Sequence, residues 1–337
     1  MRAAVLEQFG RPLALRDIAD PVVGHDEVLV AVHAVGLCGT DLKINSGAFG
    51  EDTPLPMVTG HEIAGQLVND YGDLPAGTDV ACYFYTPCGA CGSCARDESE
   101  LCRSSRRLGF EQDGGLATYV AVRGENVLPF DASIGHAAAA VAMDAVTTPW
   151  HALKKRGAVA SGERVLVVGA GGLGLNGVQI ARHLGAEVAA LDTRADRRLL
   201  ACELGAQVAL GPDEIYRLAD WSDGGVDLVL DTSGTRAGFE AAVAAVRSGG
   251  RIVCCGYQPG VEYGLDSARL VLQEITVLGS RLGSREDARA ALRAVESGAV
   301  KPPIARRFAF DEVNEGLAAL ASGDLAGRIV VDLPDRG

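Results

Sequence analysis

Four β-prone residues, Val165-Leu166-Val167-Val168, run without a break into Gly169-Ala170-Gly171-Gly172-Leu173-Gly174, and helical text follows from Leu175 to Leu184. Gly-x-Gly-x-x-Gly alone is a weak signal, but set between a strand and a helix it dictates local backbone. Gly169 makes the tight turn, Gly171 lets the main chain approach a pyrophosphate, and Gly174 lets helix and strand pack closely. Free N–H groups at the helix start, among them those of Gly172 and Leu173, then face the phosphates. The alternative is a glycine-rich turn that only joins two core elements. Around this unit, short apolar runs alternate with helical stretches: 165–168, 188–191, 208–210, 227–230, 251–255 and 275–278, with helical text over 195–205 and 236–248. Strands joined by helical crossovers predict an α/β fold with a doubly wound parallel sheet.

The run after the glycine turn ends in Ala190-Leu191-Asp192-Thr193-Arg194. An acid at this place accepts hydrogen bonds from ribose hydroxyls and repels a 2′-phosphate, which favours NAD over NADP. Arg194 argues the other way, since a nearby arginine accommodates that phosphate. Arg197 joins the candidate cofactor contacts. The structural alternative for Asp192 is an N-cap on the helix that starts near Ala195.

At 337 residues the chain is too long for one ordinary core, so two domains are expected. From the start to about Val141, short β-type runs such as 28–32, 63–68 and 118–122 predict a mostly antiparallel β domain. The tail, 285–337, supplies a helix over 286–297 and a strand over 328–331, and on its residues alone could join either lobe. A net charge of −13 argues against nucleic acid as a partner, because phosphate backbones need clustered Lys and Arg. The first seven residues show no apolar run before a cleavage site, so no secretory signal is expected. The most apolar stretch, 165–181, is broken by glycines, Asn176 and Gln179, so no membrane span is expected and the location expected is cytoplasmic.

Nine cysteines in a reducing compartment point to metal before disulfides. Cys88, Cys91, Cys94 and Cys102 form C-x-x-C-x-x-C followed, seven residues on, by the last thiol. Four thiolates can close a tetrahedral shell around zinc and leave no position for chemistry. An iron–sulfur cluster is the rival, but Arg103 stands where ferredoxin-type spacing has proline. A structural zinc is expected. Cys82, Cys202, Cys254 and Cys255 lie in apolar text and read as small buried hydrophobes.

Together with Gly36-Leu37-Cys38-Gly39-Thr40-Asp41, Gly60-His61-Glu62 and Gly327-Arg328-Ile329-Val330, these motifs make the chain resemble zinc-dependent medium-chain alcohol dehydrogenases over essentially its whole length. The resemblance implies a GroES-like catalytic domain over 1–144, with 285–337 returning to it, and a Rossmann NAD-binding domain over 145–284. It implies a catalytic zinc on Cys38, His61 and Asp144, the last where the family has Cys, Glu or Asp. Taken singly, Cys38 reads equally as core, His61 as a structural histidine and Asp144 as a helix cap. A carboxylate in place of a thiolate gives the ion less charge and makes it the stronger Lewis acid. One position stays open for the substrate oxygen. Asp41 then accepts the second ring N–H of His61. Glu62 stands beside the ion as a transient ligand, and Thr40 starts the proton relay. Lys43 replaces the relay histidine and reads as a solvated surface lysine. By resemblance, Thr148 packs on the nicotinamide and Arg328 reaches the cofactor phosphates. Phe49, Phe84, Phe110 and Trp150 are candidates for an apolar wall.

The expected reaction moves a hydride between an alcohol, or its aldehyde or ketone, and NAD, in a cleft between the domains. The alternatives are a zinc-retaining reductase of a conjugated C=C bond using NAD(P)H, and a non-catalytic NAD-binding sensor. Expected partners are a small-molecule substrate and further copies of the chain, as a homodimer or homotetramer, with neither nucleic acid nor membrane.

Overall fold

The computed structural model describes residues 1–50 and 53–334. They cluster into two compact units, one formed by Met1–Asp144, Ser284–Glu296 and Ile304–Gly337, the other by Ala145–Gly283 with Ser297–Pro303.

The first unit is built on the strand Glu27–Leu37. Val28, Val30, Val32 and Ala34 are buried at alternate positions, the period of a half-buried strand, and from Ala34 onward every residue is buried. Seven strands form its main sheet, in the order Val127–Pro129, Asp79–Cys82, Glu62–Leu67, Glu27–Leu37, Arg328–Asp332, Ile304–Ala309, with Tyr119–Arg123 pairing the first half of the long strand. Register decides what this sheet delivers. Gly36 lies opposite Glu62 on one side and Val330 on the other, so the chain segments carrying Cys38, His61 and Arg328 emerge at one end. Only glycine fits at 36, because a Cβ there would overlap the Glu62 carboxylate.

The second unit holds the parallel sheet expected from the sequence. Its six strands run Val208–Leu210, Glu187–Leu191, Arg164–Val168, Val226–Asp231, Val246–Cys254, Thr276–Gly279, all parallel. The order reverses beside Arg164–Val168, and such a switch point is where open α/β sheets bind ligands. Val165 to Val168 and Val188 to Leu191 are buried throughout, as strands covered on both faces must be. One strand is longer than expected: Val246–Cys254 absorbs Arg247 and Ser248, which read as helix, by bulging between Val226 and Leu228 of its neighbour. The cysteines outside the metal motifs also differ. Cys82 is fully buried, but Cys254 and Cys255 are half-buried and Cys202 is exposed on the outer face of the helix Ala195–Glu203. Among the described residues no helix is long and apolar enough to cross a membrane.

Candidate functional site

Cys38, His61, Glu62 and Asp144 converge in the first unit, with one donor atom from each lying within 4.8 Å of the others. Cys38 follows the long strand in extended conformation and caps the helix Gly39–Asn45. Its N–H donates to Asp41 Oδ2 at 2.7 Å, while Asp41 Oδ1 stands 3.3 Å from His61 Nδ1. One carboxylate therefore holds both the Cys38 backbone and the His61 imidazole, and it leaves His61 Nε2 turned toward the cluster. Asp144 lies in a π-helical turn, Ala142–Val146, between the helices Gly135–Val141 and Thr147–His151. Such turns insert an extra residue and re-aim a side chain, and they concentrate at functional sites. Asp144 Oδ2 reaches 3.3 Å from Cys38 Sγ and 3.7 Å from His61 Nε2.

These groups are short of positive charge. Cys38, His61 and Glu62 are buried, and His61 Nδ1, Asp41 Oδ1 and both Glu62 oxygens lack a well-directed hydrogen bond. Burial disfavours a charged His61, yet Asp41 and Asp144 raise its pKa well above the ordinary value. Burial likewise holds Glu62 well above the usual carboxylate range despite Arg328. Cys38 goes the other way: burial opposes its ionisation, but the Arg328 guanidinium and His61 outweigh it and hold the thiol below its normal value. Buried polar groups that attract protons and lack well-directed hydrogen bonds are what a cation would satisfy. The donor set of sulfur, nitrogen and oxygen suits zinc.

Arg328 and Lys43 are not where the sequence reading puts them. Arg328 is expected at cofactor phosphates. Its guanidinium is instead buried among the donors, Nη2 standing 2.7 Å from Glu62 Oε1 and 3.2 Å from Asp144 Oδ2. Lys43 is half-buried rather than solvated, and burial depresses its ammonium while Cys38 and Asp144 partly restore it. It lies one helical turn past the half-buried Thr40, so the amine senses the donor cluster. Phe84 and Phe110 pack against the His61 ring at 5.0 and 5.4 Å, and Phe49 meets Phe110 at 5.7 Å. Arg107, which the sequence did not single out, lies 4.2 Å over Phe110. Trp150 belongs to the second unit, against His183.

The four-cysteine loop brings its thiols together without a disulfide. Cys91 Sγ is 3.5 Å from that of Cys94 and 3.7 Å from that of Cys102, and Cys88 is 4.0 Å from Cys94. Bonds of about 2.3 Å in a tetrahedron put sulfurs about 3.8 Å apart, inside this spread. Gly89 turns the loop at φ +72°, and the Cys88 N–H donates to Cys102 Sγ at 3.3 Å. The Cys94 N–H, aided by neighbouring thiols, draws Cys91 down to about 6, whereas burial and adjacent sulfurs push Cys94 up to about 11.

In the second unit Gly169 turns the chain at φ +87°, and a Cβ on Gly174 would run into the Gly169 carbonyl. Gly171 caps the helix Gly172–His183 with open space around it. Asp192 ties this turn to the next strand: Oδ2 accepts the Ala170 N–H at 2.7 Å and Oδ1 the Arg194 N–H at 2.9 Å. It is not the helix cap, a place taken by Arg194. Arg197 approaches Asp192 to 3.9 Å, while the Arg194 guanidinium is held by Asp196 at 2.7 Å. Thr148 is buried on Thr147–His151.

Residues 24–132 match the family described as alcohol dehydrogenase GroES-like domain, and residues 172–297 match that described as zinc-binding dehydrogenase. The chain is 32% identical over 338 residues to an alcohol dehydrogenase of Geobacillus stearothermophilus, spanning 98% of this chain and 99% of that one. Its fold is similar to that of an NAD-dependent alcohol dehydrogenase, with a TM-score of 0.94 at 28% identity over 99% of this chain and 100% of the other. A thermostable alcohol dehydrogenase from Pyrobaculum aerophilum, solved with cobalt and zinc bound, is similar at a TM-score of 0.89 and 30% identity, over 98% and 99% of the two chains.

Proposed function

The chain belongs to the zinc-binding alcohol dehydrogenase family, and on that premise we propose that Cys38, His61 and Asp144 hold the zinc at which it interconverts an alcohol and its aldehyde or ketone. Zinc supplies Lewis acidity toward the substrate oxygen and NAD carries the hydride. The observation that carries the site assignment is the convergence of thiol, imidazole and carboxylate, with one donor atom from each lying within 4.8 Å of the others.

The chain's own residues do the rest. The Asp41 carboxylate, 3.3 Å from His61 Nδ1, favours the proton on that nitrogen and keeps Nε2 free to donate its lone pair. Thr40 Oγ takes the proton lost by the alcohol, and Lys43, one turn further on, supports its passage outward. Phe84 and Phe110 keep water from the His61 side. At the other unit, N–H groups at the start of Gly172–His183 receive the pyrophosphate, and Thr148 packs on the nicotinamide. The remaining lone pairs of the Asp192 carboxylate accept from the ribose, with Arg197 beside it. Cys88, Cys91, Cys94 and Cys102 hold a second, structural zinc. Steady NADH formation with a panel of alcohols by zinc-replete protein tests the reading, and its absence with every alcohol would overturn it.

Asp192→Gly loses the ribose acceptor and the Ala170 anchor together. A lost hydrogen bond to a charged group costs about 1.5–3 kcal/mol, so the KM for NAD rises roughly ten- to a hundred-fold. Initial rates against NAD concentration measure it, and an unchanged KM counts against the assignment.

Further copies of the chain fit the exposed edge of the second unit. Thr276–Gly279 stands at the edge of the parallel sheet with Val277 41% exposed, and the preceding helix Ser267–Leu272 exposes Val271 (68%) and Leu272 (81%). A bare apolar edge strand pairs with another of its kind unless covered. Val277→Lys with Leu272→Glu shifts the protein toward monomer in light scattering, and an unchanged mass excludes this edge. The location proposed is the cytoplasm, whose reducing milieu suits nine cysteines that form no disulfide.

A further inference from the structure

Four donors point at one place, and four is one too many. A zinc shell closed by four protein ligands is structural, and chemistry needs three with one position left open. Cys38, His61, Glu62 and Asp144 are all close enough to take part, so something has to withhold one of them.

We infer that Arg328 is the positioning residue that keeps this shell open, by holding Glu62 out of it while steadying Asp144 within it. The inference rests on the metal site proposed above. The Arg328 Nη2 ion-pairs with Glu62 Oε1 at 2.7 Å and donates a hydrogen bond to Asp144 Oδ2 at 3.2 Å, so one guanidinium holds both carboxylates. Glu62 is also parked. Its carboxylate fills the space that a side chain at Gly36 would need, opposite it in the strand register. Asp144, by contrast, turns Oδ2 toward both Cys38 Sγ and His61 Nε2. Removing the guanidinium leaves Glu62 buried and unbalanced, and swinging onto the ion is its nearest remedy. The Arg328 side chain, fully enclosed on the strand Arg328–Asp332, is fixed well enough to act this way.

The test uses full-length protein with cobalt(II) at the catalytic position and zinc in the four-cysteine loop, titrated with imidazole as a probe of the open position. In the wild-type protein imidazole shifts the cobalt absorption bands. Arg328→Met is expected to keep its cobalt, show shifted bands as a carboxylate takes the open position, and bind imidazole at least about ten-fold more weakly, the scale of outer-shell effects at metal sites. Arg328→Met combined with Glu62→Gln is expected to restore both the bands and imidazole binding. If Arg328→Met alone fails to fold or to hold cobalt, restoration of both in the double variant supports the inference. Failure of the double variant as well overturns it. Unchanged imidazole binding in Arg328→Met also overturns it, leaving the metal site itself intact. A wild-type protein that takes up only the loop ion fails at the earlier step, and so points to the site assignment instead.

Discussion

Asp144→Ala leaves one zinc per chain instead of two and lowers kcat/KM by at least about a thousand-fold, or ~4 kcal/mol of transition-state stabilisation. The change removes the oxygen donor that stands 3.3 Å from Cys38 Sγ and 3.7 Å from His61 Nε2. Two remaining ligands hold zinc poorly, and Arg328 keeps Glu62 from replacing the third. The four-cysteine loop shares no residue with this cluster, so its ion stays. Asp144→Cys behaves differently. A thiolate is a competent zinc ligand, so this variant retains two ions, with a weaker Lewis acid at the catalytic position. Metal analysis paired with initial rates separates these results, and two zincs in Asp144→Ala would remove Asp144 from the ligand set.

Cys102→Ala strikes stability rather than turnover. Cys102 is the buried member of the loop, 1% exposed, and its sulfur also accepts the Cys88 N–H. Without it three thiols remain, two of which the structure leaves partly exposed and one fully so. Structural zinc sites in small peptides supply about 10–16 kcal/mol of binding free energy that doubles as folding free energy. Losing a good part of that lowers the Tm by roughly 10 °C or more. Treating the wild-type protein with a strong chelator lowers the melting temperature similarly, and treating Cys102→Ala lowers it little further. Differential scanning calorimetry measures both. An unchanged Tm in Cys102→Ala would show that the loop folds without its ion.

Most of the architecture was legible because its causes are local. The parallel strands show as unbroken apolar runs, since both faces are covered, and the glycine turn announces the helix that follows it. The thiol spacing of the loop exposed that site for the same reason. What was not legible depends on contacts far apart in sequence. Asp144 could be named only through resemblance, because it works from a π-helical turn that no apolar period marks. Arg328 read as a phosphate ligand, since charged side chains are rarely fully buried, and nothing near it in sequence reveals Glu62 as its partner 266 positions away. Lys43 read as a surface residue because the helix Gly39–Asn45 is short, with only Asp41 and Ile44 fully enclosed. The need for glycine at 36 becomes visible only when the strand register sets it opposite Glu62.

Crystals grown with zinc, measured on both sides of the zinc absorption edge, address the central claim most directly. Two anomalous peaks per chain are predicted, one inside the four-cysteine loop and one about 2.3 Å from Cys38 Sγ and about 2.0–2.2 Å from His61 Nε2 and an Asp144 oxygen. A loop peak with no second peak among Cys38, His61 and Asp144 would contradict the account.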